Sequence, residues 1–245
     1  MNSPSRIQPV LEVIETAQAV FRQDLSKLSS GPGLDQEMYH RYLSFQYHLT
    51  KGVQRSFFKC AGHPDLSGKN RLRKFLFKFG LEEEPHYRVA EVDLERMGLK
   101  PCPMPLDVAL WWSYFDRIVE ERPFVRLGAA CVLENLGSGA GALGHALLND
   151  APFLNSSNTR FLEIHFHEIL PHGDEIIGAL DSAPLDANNV SDLVEGAHTG
   201  AIMYLRLARW ATQQDDLTAK FNPLTLMSRN EEGEYEDLEE LCAYQ

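Results

Sequence analysis

Between Phe161 and Ile177 the chain reads Phe-Leu-Glu-Ile-His-Phe-His-Glu-Ile-Leu-Pro-His-Gly-Asp-Glu-Ile-Ile, a stretch that sets imidazoles and carboxylates among apolar residues. At helical spacing His165, Glu168 and His172 stand at i, i+3 and i+7, which puts two imidazoles and a carboxylate on one face. Pro171 lies directly before His172 and disturbs a regular helix there, so His167 or Asp174 can take the place of a member of that set. Two other places repeat the chemistry. In Glu82-Glu83-Glu84-Pro85-His86, Glu83 stands three residues before His86, with Glu82 as the alternative carboxylate. Glu134 follows the apolar run Leu127-Gly-Ala-Ala-Cys-Val-Leu133, where a charged carboxylate is costly unless it is paired or coordinated. Carboxylates and imidazoles without a thiolate suit iron or manganese better than a structural zinc. Each residue alone also has a plainer role: His86 as a cap, Glu134 as an ion-pair partner of Arg126 or Arg122, and His165 and His172 as ordinary core or surface histidines. Their coincidence favours a shared metal site.

The elements that must position these residues are helical. Residues 8 to 29 carry Val10, Val13, Ile14, Ala17, Val20, Phe21 and Leu25 at intervals of three or four, and Ser-Ser-Gly-Pro-Gly stops that helix. A second helix is expected from the N-cap Asp35 to about Gly62, and a third region from about 67 to 97, kinked at Pro85. His48, inside the second, reads as a satisfied core histidine, with an axial haem ligand as the alternative. Pro101, Pro103 and Pro105 exclude regular helix before a fourth, aromatic helix from about Asp107 to Pro123. A fifth runs from Phe124 to about Asn149. Its glycines, Gly137, Gly139, Gly141 and Gly144, follow no strand and precede no Gly-Lys-Ser/Thr, so they read as loosened or closely packed helix rather than a phosphate loop. The His-rich helix opens at Asn158 or Thr159, and a last long helix spans about 188 to 214. No segment alternates with period two. The fold class is all-α, about seven helices in one domain over residues 1–222, followed by an acidic tail at 223–245.

Composition limits the partners. The net charge is −12, and seven acidic residues between Glu231 and Glu240 carry much of it, leaving a body of about −5. An acidic body and tail argue against binding a phosphate backbone. Cys60, Cys102, Cys131 and Cys242 show no C-x-x-C spacing, so neither a disulfide framework nor a zinc ribbon is indicated. The N-terminal residues lack a signal-peptide core, and no apolar run approaches about twenty residues. A cytoplasmic protein that uses neither nucleic acid nor membrane is the expectation.

The order of helices, the Glu-Glu-Glu-Pro-His element, the Val-Ala-Glu-Val-Asp-Leu-Glu-Arg-Met-Gly run after it, the Leu-Glu-Asn-Leu-Gly-Ser-Gly element at Leu133 and the His-rich helix together resemble the haem-oxygenase-like diiron oxidases and oxygenases. The resemblance covers roughly residues 35 to 215. It implies a seven-helix haem-oxygenase-like bundle, two iron ions and dioxygen as co-substrate. It also implies Glu83, His86, Glu134, His165, Glu168 and His172 as metal ligands, with Glu134 as the bridging and catalytic carboxylate. Relatives oxidise amino acids and fatty acids by N-oxygenation, desaturation or C–C cleavage, so a small amino-acid-derived or carboxylic-acid substrate is expected, with an external electron donor and a homodimer as further partners. Arg122 and Arg126 are candidates to hold a substrate carboxylate by paired hydrogen bonds, or else to form structural ion pairs. Tyr47, Phe79, Trp111, Trp112, Tyr114 and Phe115 are candidates to wall an apolar substrate. The competing readings are a cofactor-independent or haem-binding use of the same fold, the former needing Cys131 as nucleophile, and an interaction protein that keeps the fold without the chemistry.

Overall fold

Pro123 opens the helix on which the rest of the bundle is arranged, since a proline at the first helical position forfeits no hydrogen bond there. The structure is a computed structural model and describes residues 5–166 and 172–214. Among these residues the chain forms α1 (Gln8–Ser30), α2 (Gln36–Thr50), α3 (Gln54–Gly62), α4 (Asn70–Glu83), α5 (His86–Arg96), α6 (Leu106–Ile118), α7 (Pro123–Leu136), α8 (Gly141–Asn149), α9 (Arg160–Phe166), α10 (His172–Asp181) and α11 (Ala187–Ala211). Two 3-10 turns, Pro64–Leu66 and Ser138–Ala140, complete the order, and no strand occurs among the described residues. The segment holding His167 and Glu168 and the acidic tail lie outside them.

The all-α expectation holds, while several of the long helices it contained are divided. The stretch from Asp35 to Gly62 is two helices, because Gly52 takes a φ of +89° between α2 and α3. That left-handed conformation costs glycine little and strains a residue with a Cβ. Asp35 caps α2 as expected, its side chain accepting from the Met38 N–H at 2.7 Å. Pro85 separates α4 from α5 at the expected place, and the glycine-rich stretch after α7 becomes the Ser138–Ala140 turn and α8. Asp186 and Asn189 form a reciprocal capping box that starts α11.

Helix α7 is buried along nearly its whole length and packs against α1, α3, α6, α10 and α11. Its closest neighbour is α11. A Cβ on Gly128 would meet the Leu193 carbonyl, one on Gly196 the Val125 carbonyl, and one on Gly200 the Ala129 side chain. Glycine at these positions lets the two backbones approach to a distance no larger residue permits. The main core extends from this seam through Val125, Ala129, Val132, Leu193, Ala197 and Leu207 to Trp111, Phe115 and Phe79. A second cluster of Tyr39, Leu43, Ala90, Leu94 and Phe161 ties α2, α5 and α9 together. No helix among the described residues is long and apolar enough to cross a membrane.

Replacing Gly196 with Ala is expected to lower stability by about 1–3 kcal/mol, because the new methyl collides with backbone rather than with a movable side chain. Gly178→Ala, in open space on α10, should be neutral or slightly stabilising. Urea-unfolding midpoints of the two variants check the contrast.

Candidate metal centre

Burying a carboxylate is unfavourable unless something nearby carries the opposite charge or takes its lone pairs. Glu83, the last residue of α4, is only 4% exposed. Its two oxygens face two imidazoles. Oε1 lies 2.6 Å from His172 Nδ1, and Oε2 lies 2.8 Å from His86 Nδ1. Burial pushes the Glu83 carboxyl up, the contacts to His172 and His86 pull it down further, and the balance holds it low, at about 2. These are short contacts of unusual direction: Glu83 Oε1 and His86 Nδ1 are buried without a hydrogen bond of proper geometry. Carboxylate oxygens and imidazole nitrogens grouped in this way are of the types that can share a cation.

Glu134 approaches from α7, with Oε2 4.0 Å from His172 Nδ1. Ligand atoms of Glu83, Glu134 and His172 all lie within 4.8 Å of one another, a grouping compact enough to hold a metal ion. His86 stacks on His172 with ring centroids 5.7 Å apart, and the His165 ring lies 5.3 Å from His86. Four helices and the start of a fifth therefore converge: α4, α5, α7, α9 and α10. His165 and His172, read as one helix face, belong to two elements, α9 and α10, and Glu168 lies outside the described residues. Glu82 is the more exposed of the two, making an ion pair with Lys78 at 3.1 Å and forming a second grouping with Glu175 and His172. Of the two carboxylates that the spacing left open, Glu83 is the one in the interior.

Each of these side chains is held by local structure. Pro85 ends α4 and lets α5 begin at His86, so the three-residue spacing is set across a break rather than along one helix. Gly173 allows the start of α10 to sit against α7, since a Cβ there would strike the Asn135 side chain beside Glu134. The start of α9 is fixed from outside: buried Asp93 on α5 accepts from the Phe161 N–H at 2.7 Å, and Tyr39 donates to the Asn158 carbonyl at 3.0 Å. His165 Nδ1 lies 2.6 Å from the Phe161 carbonyl. A carbonyl only accepts, so the Nδ1 proton is fixed and the ring's lone pair is on Nε2, the state a metal-binding histidine needs. Gly173 and Asp93 were not singled out in the sequence. A glycine directly after His172 was the available signal for the first, and an acidic residue inside an apolar helix pattern for the second.

Beside the carboxylates opens a cavity of 340 Å³ that also reaches His165 and His172. Its walls come mainly from α1, α2, α7, α8 and α11, with Phe21, Leu25, Leu28, Leu49, Leu133 and Leu147 among them. Of the aromatic residues expected to line it only Trp111 does so; Tyr47, Phe79, Trp112, Tyr114 and Phe115 pack elsewhere, and Tyr39, Tyr42, Phe161 and Tyr204 take their place. Tyr204 accepts from Gln46 Nε2 at 2.7 Å, and burial pushes its phenol well above its ordinary value. Arg126 lines the cavity and is 1% exposed. Arg122 does not line it. Its guanidinium is bound at the surface to Asp192 and Glu195, each at 2.6 Å, so a substrate-holding role for Arg122 gives way to a structural ion pair. His48 is satisfied by the Cys102 carbonyl at 2.7 Å and is not part of the wall, as the plainer reading expected. Cys131 is fully buried outside the cavity, and burial pushes its thiol up, which does not suit a nucleophile.

No protein-family model and no curated protein matches the sequence. Solved structures do. A domain of unknown function from Shewanella denitrificans OS217, described as having a haem oxygenase-like fold, superposes with a TM-score of 0.76 over 92% of this chain and 100% of its own, at 16% identity. The fold is haem-oxygenase-like. A CADD-like protein of unknown function from Nostoc punctiforme PCC 73102 gives a TM-score of 0.61 at 10% identity, covering 87% of this chain and 98% of its own. Identities this low carry the fold and leave the chemistry to the residues of this chain.

The depressed Glu83 carboxyl predicts an acid sensitivity of the metal-free protein. Held at about 2 against an ordinary 4.5, it contributes stability in full above about pH 4.5, and that contribution is lost as pH falls through about 2. Urea unfolding of the metal-free chain and of Glu83→Gln, compared from pH 5 to pH 2, should show the gap between them closing as the pH drops.

Proposed function

We propose that the chain is an oxygen-dependent non-haem metalloenzyme that binds two iron ions and oxidises a small organic molecule in the adjoining cavity. The observation that carries this reading is the Glu83, Glu134 and His172 grouping, set in the protein interior and bordering an apolar cavity. The donors fit iron: carboxylate oxygens and imidazole nitrogens, with no thiolate among them. Glu83, Glu134 and His172 would hold the metal centre, with His86 and His165 completing it from α5 and α9. Glu168, outside the described residues, is the further ligand that the spacing of the chain offers. When bound, ferrous ions supply the electrons and the open coordination positions that dioxygen chemistry requires.

The remaining work belongs to the chain. Leu25, Leu28, Leu49, Leu133 and Leu147 exclude water from the reacting region, which strengthens every charge interaction within it. Glu134, less buried than Glu83 and lining the cavity, would serve both metal and substrate. The Phe161 carbonyl keeps the His165 lone pair on Nε2. N-oxygenation, desaturation and C–C cleavage are all compatible with such a site, with an external electron donor restoring the ferrous state in the cytoplasm.

Titration of the metal-free chain with ferrous iron under argon should reach close to two equivalents, and admission of oxygen should then be followed by its consumption and a visible absorption change. Glu134→Ala is expected to abolish oxygen-dependent turnover while circular dichroism keeps its helical signal. Wild-type protein that takes up no iron would sink the proposal.

A further inference from the structure

The chain is acidic as a whole, yet one of its helix pairs is basic. Between Arg55 and Lys78 it carries seven basic residues and one acidic residue, Asp65, against a net charge of −12 for the whole. On α4, Arg71, Lys74, Phe77, Lys78 and Leu81 recur at intervals of three and four and are all exposed, so they form one stripe. Phe77 is 45% exposed and Leu81 61%. α3 extends the same face. The Phe58 ring lies 5.9 Å from that of Phe77, a Cβ on Gly80 would strike it, and exposed Arg55 stands one turn before it. The face has an apolar centre of Phe58, Phe77 and Leu81 and a basic rim. Lys78 is engaged by Glu82 at 3.1 Å, whereas Arg55, Arg71 and Lys74 pair with no carboxylate among the described residues.

A charged helix face alone needs no partner, since water satisfies it. Two features set this one apart: large apolar side chains left exposed at its centre, and what lies behind it. α4 ends at Glu83, and Phe79, on the buried side of the same helix, meets the His172 ring edge-on at 4.9 Å. The metal grouping is therefore separated from the basic face by about one helix diameter, roughly 10–12 Å. We infer that the α3–α4 face is the docking surface for a small acidic one-electron carrier protein, of the ferredoxin or flavodoxin kind, which returns the metal centre to its ferrous state. This rests on the reading of the site as an iron centre that needs an external donor. Each encounter oxidises one carrier by one electron and reduces one bound ferric ion to ferrous. Two encounters restore a pair of ions, and no bond is made or broken.

Charge selects this occupant over others. A second copy of the chain, docked two-fold through the same face, would set the same cations against one another. A carrier with an acidic surface complements the rim and is steered towards it. Three apolar side chains suit the small, short-lived contact of an electron-transfer pair rather than a permanent subunit interface.

The test is calorimetric titration of the full chain, metal-free and ferric-loaded, with oxidised [2Fe–2S] ferredoxin, oxidised flavodoxin and, as a basic control, cytochrome c. An acidic carrier should bind the wild type while cytochrome c does not, and raising sodium chloride from about 50 to about 300 mM should weaken the complex about tenfold. The double variant Arg71→Glu/Lys74→Glu should weaken it about ten- to a hundredfold and Phe77→Ser about tenfold. Arg117→Glu, an exposed position on α6, should leave it unchanged. Reduced carrier mixed with the ferric-loaded chain should deliver one electron per bound ion, at a rate that the double variant lowers by the same factor. No binding of either acidic carrier, equal binding of cytochrome c, or an unaffected double variant overturns the proposal. Tighter binding of phosphatidylserine vesicles, or of a peptide of residues 229–245, overturns it as well, giving the face to a membrane or to the chain's own acidic segment. If no iron is taken up while a carrier binds the metal-free chain and the double variant loses it, the metal reading falls and the docking surface stands. If iron loads and no carrier uses the face, the reverse holds.

Discussion

The approach of α7 to α11 sets the frame on which the other positions depend. Gly128 faces the Leu193 backbone, and Gly196 faces that of Val125, so the two helices are fixed in register as well as in distance. A contact of backbone on backbone cannot be relieved by a side-chain rotation, as one between leucines can. α7 then carries this precision to its own two charged residues on the cavity wall, Arg126 near its start and Glu134 near its end. α10 is referred to the same helix through the contact of Gly173 with Asn135, and Asn135 is anchored in turn, its Nδ2 donating to the Cys131 carbonyl at 2.8 Å and its own carbonyl accepting from Gln18 at 2.7 Å.

Three buried charged residues show three ways of meeting the cost of desolvation. Glu83 is flanked by imidazoles on both oxygens, Asp93 accepts from the first turn of α9 with Arg96 4.0 Å away, and Arg126 is surrounded by aromatic faces. The Asp93 arrangement is a helix cap supplied from another helix, and it satisfies an N–H that α9 cannot satisfy itself. Its carboxyl is nevertheless pushed up by burial, so the cap is bound by position more than by charge. Glu83 and Arg126 differ from it in bordering the cavity.

Much of this was legible in the residues. Periodicity located the helices because each buries one stripe, and Pro85 marked a break because its ring excludes the preceding hydrogen bond. The ligand types were legible as well, since carboxylate and imidazole in apolar runs are anomalies that call for a cause. What escaped were features decided by contacts distant in sequence. Nothing near Gly52 announces that α2 must turn there rather than continue. Glu82 and Glu83 differ by one position and by 100° of helix, and only the direction of α4 against α7 and α10 decides which is interior. The choice of Trp111 over Trp112, Tyr114 or Phe115 for the cavity wall is likewise a matter of how α6 is rotated against its neighbours. Arg122 and Arg126 read as equals in the sequence, one turn apart, and packing separated them into a surface clasp and a buried cation.

The glycines after Glu134 have an implication of a different kind. Gly137 and Gly141 line the cavity, and a Cβ on either would meet no atom within 4 Å. Unlike the glycines of the α7–α11 seam, they are not required by packing. A side chain added there projects into open space at the cavity wall, so the volume offered to a ligand can change by one substitution with the supporting helices undisturbed. The molecule thus separates its constrained parts from its adjustable ones: a close-packed seam that holds the charged groups, and a wall with room for side chains that would reshape the cavity.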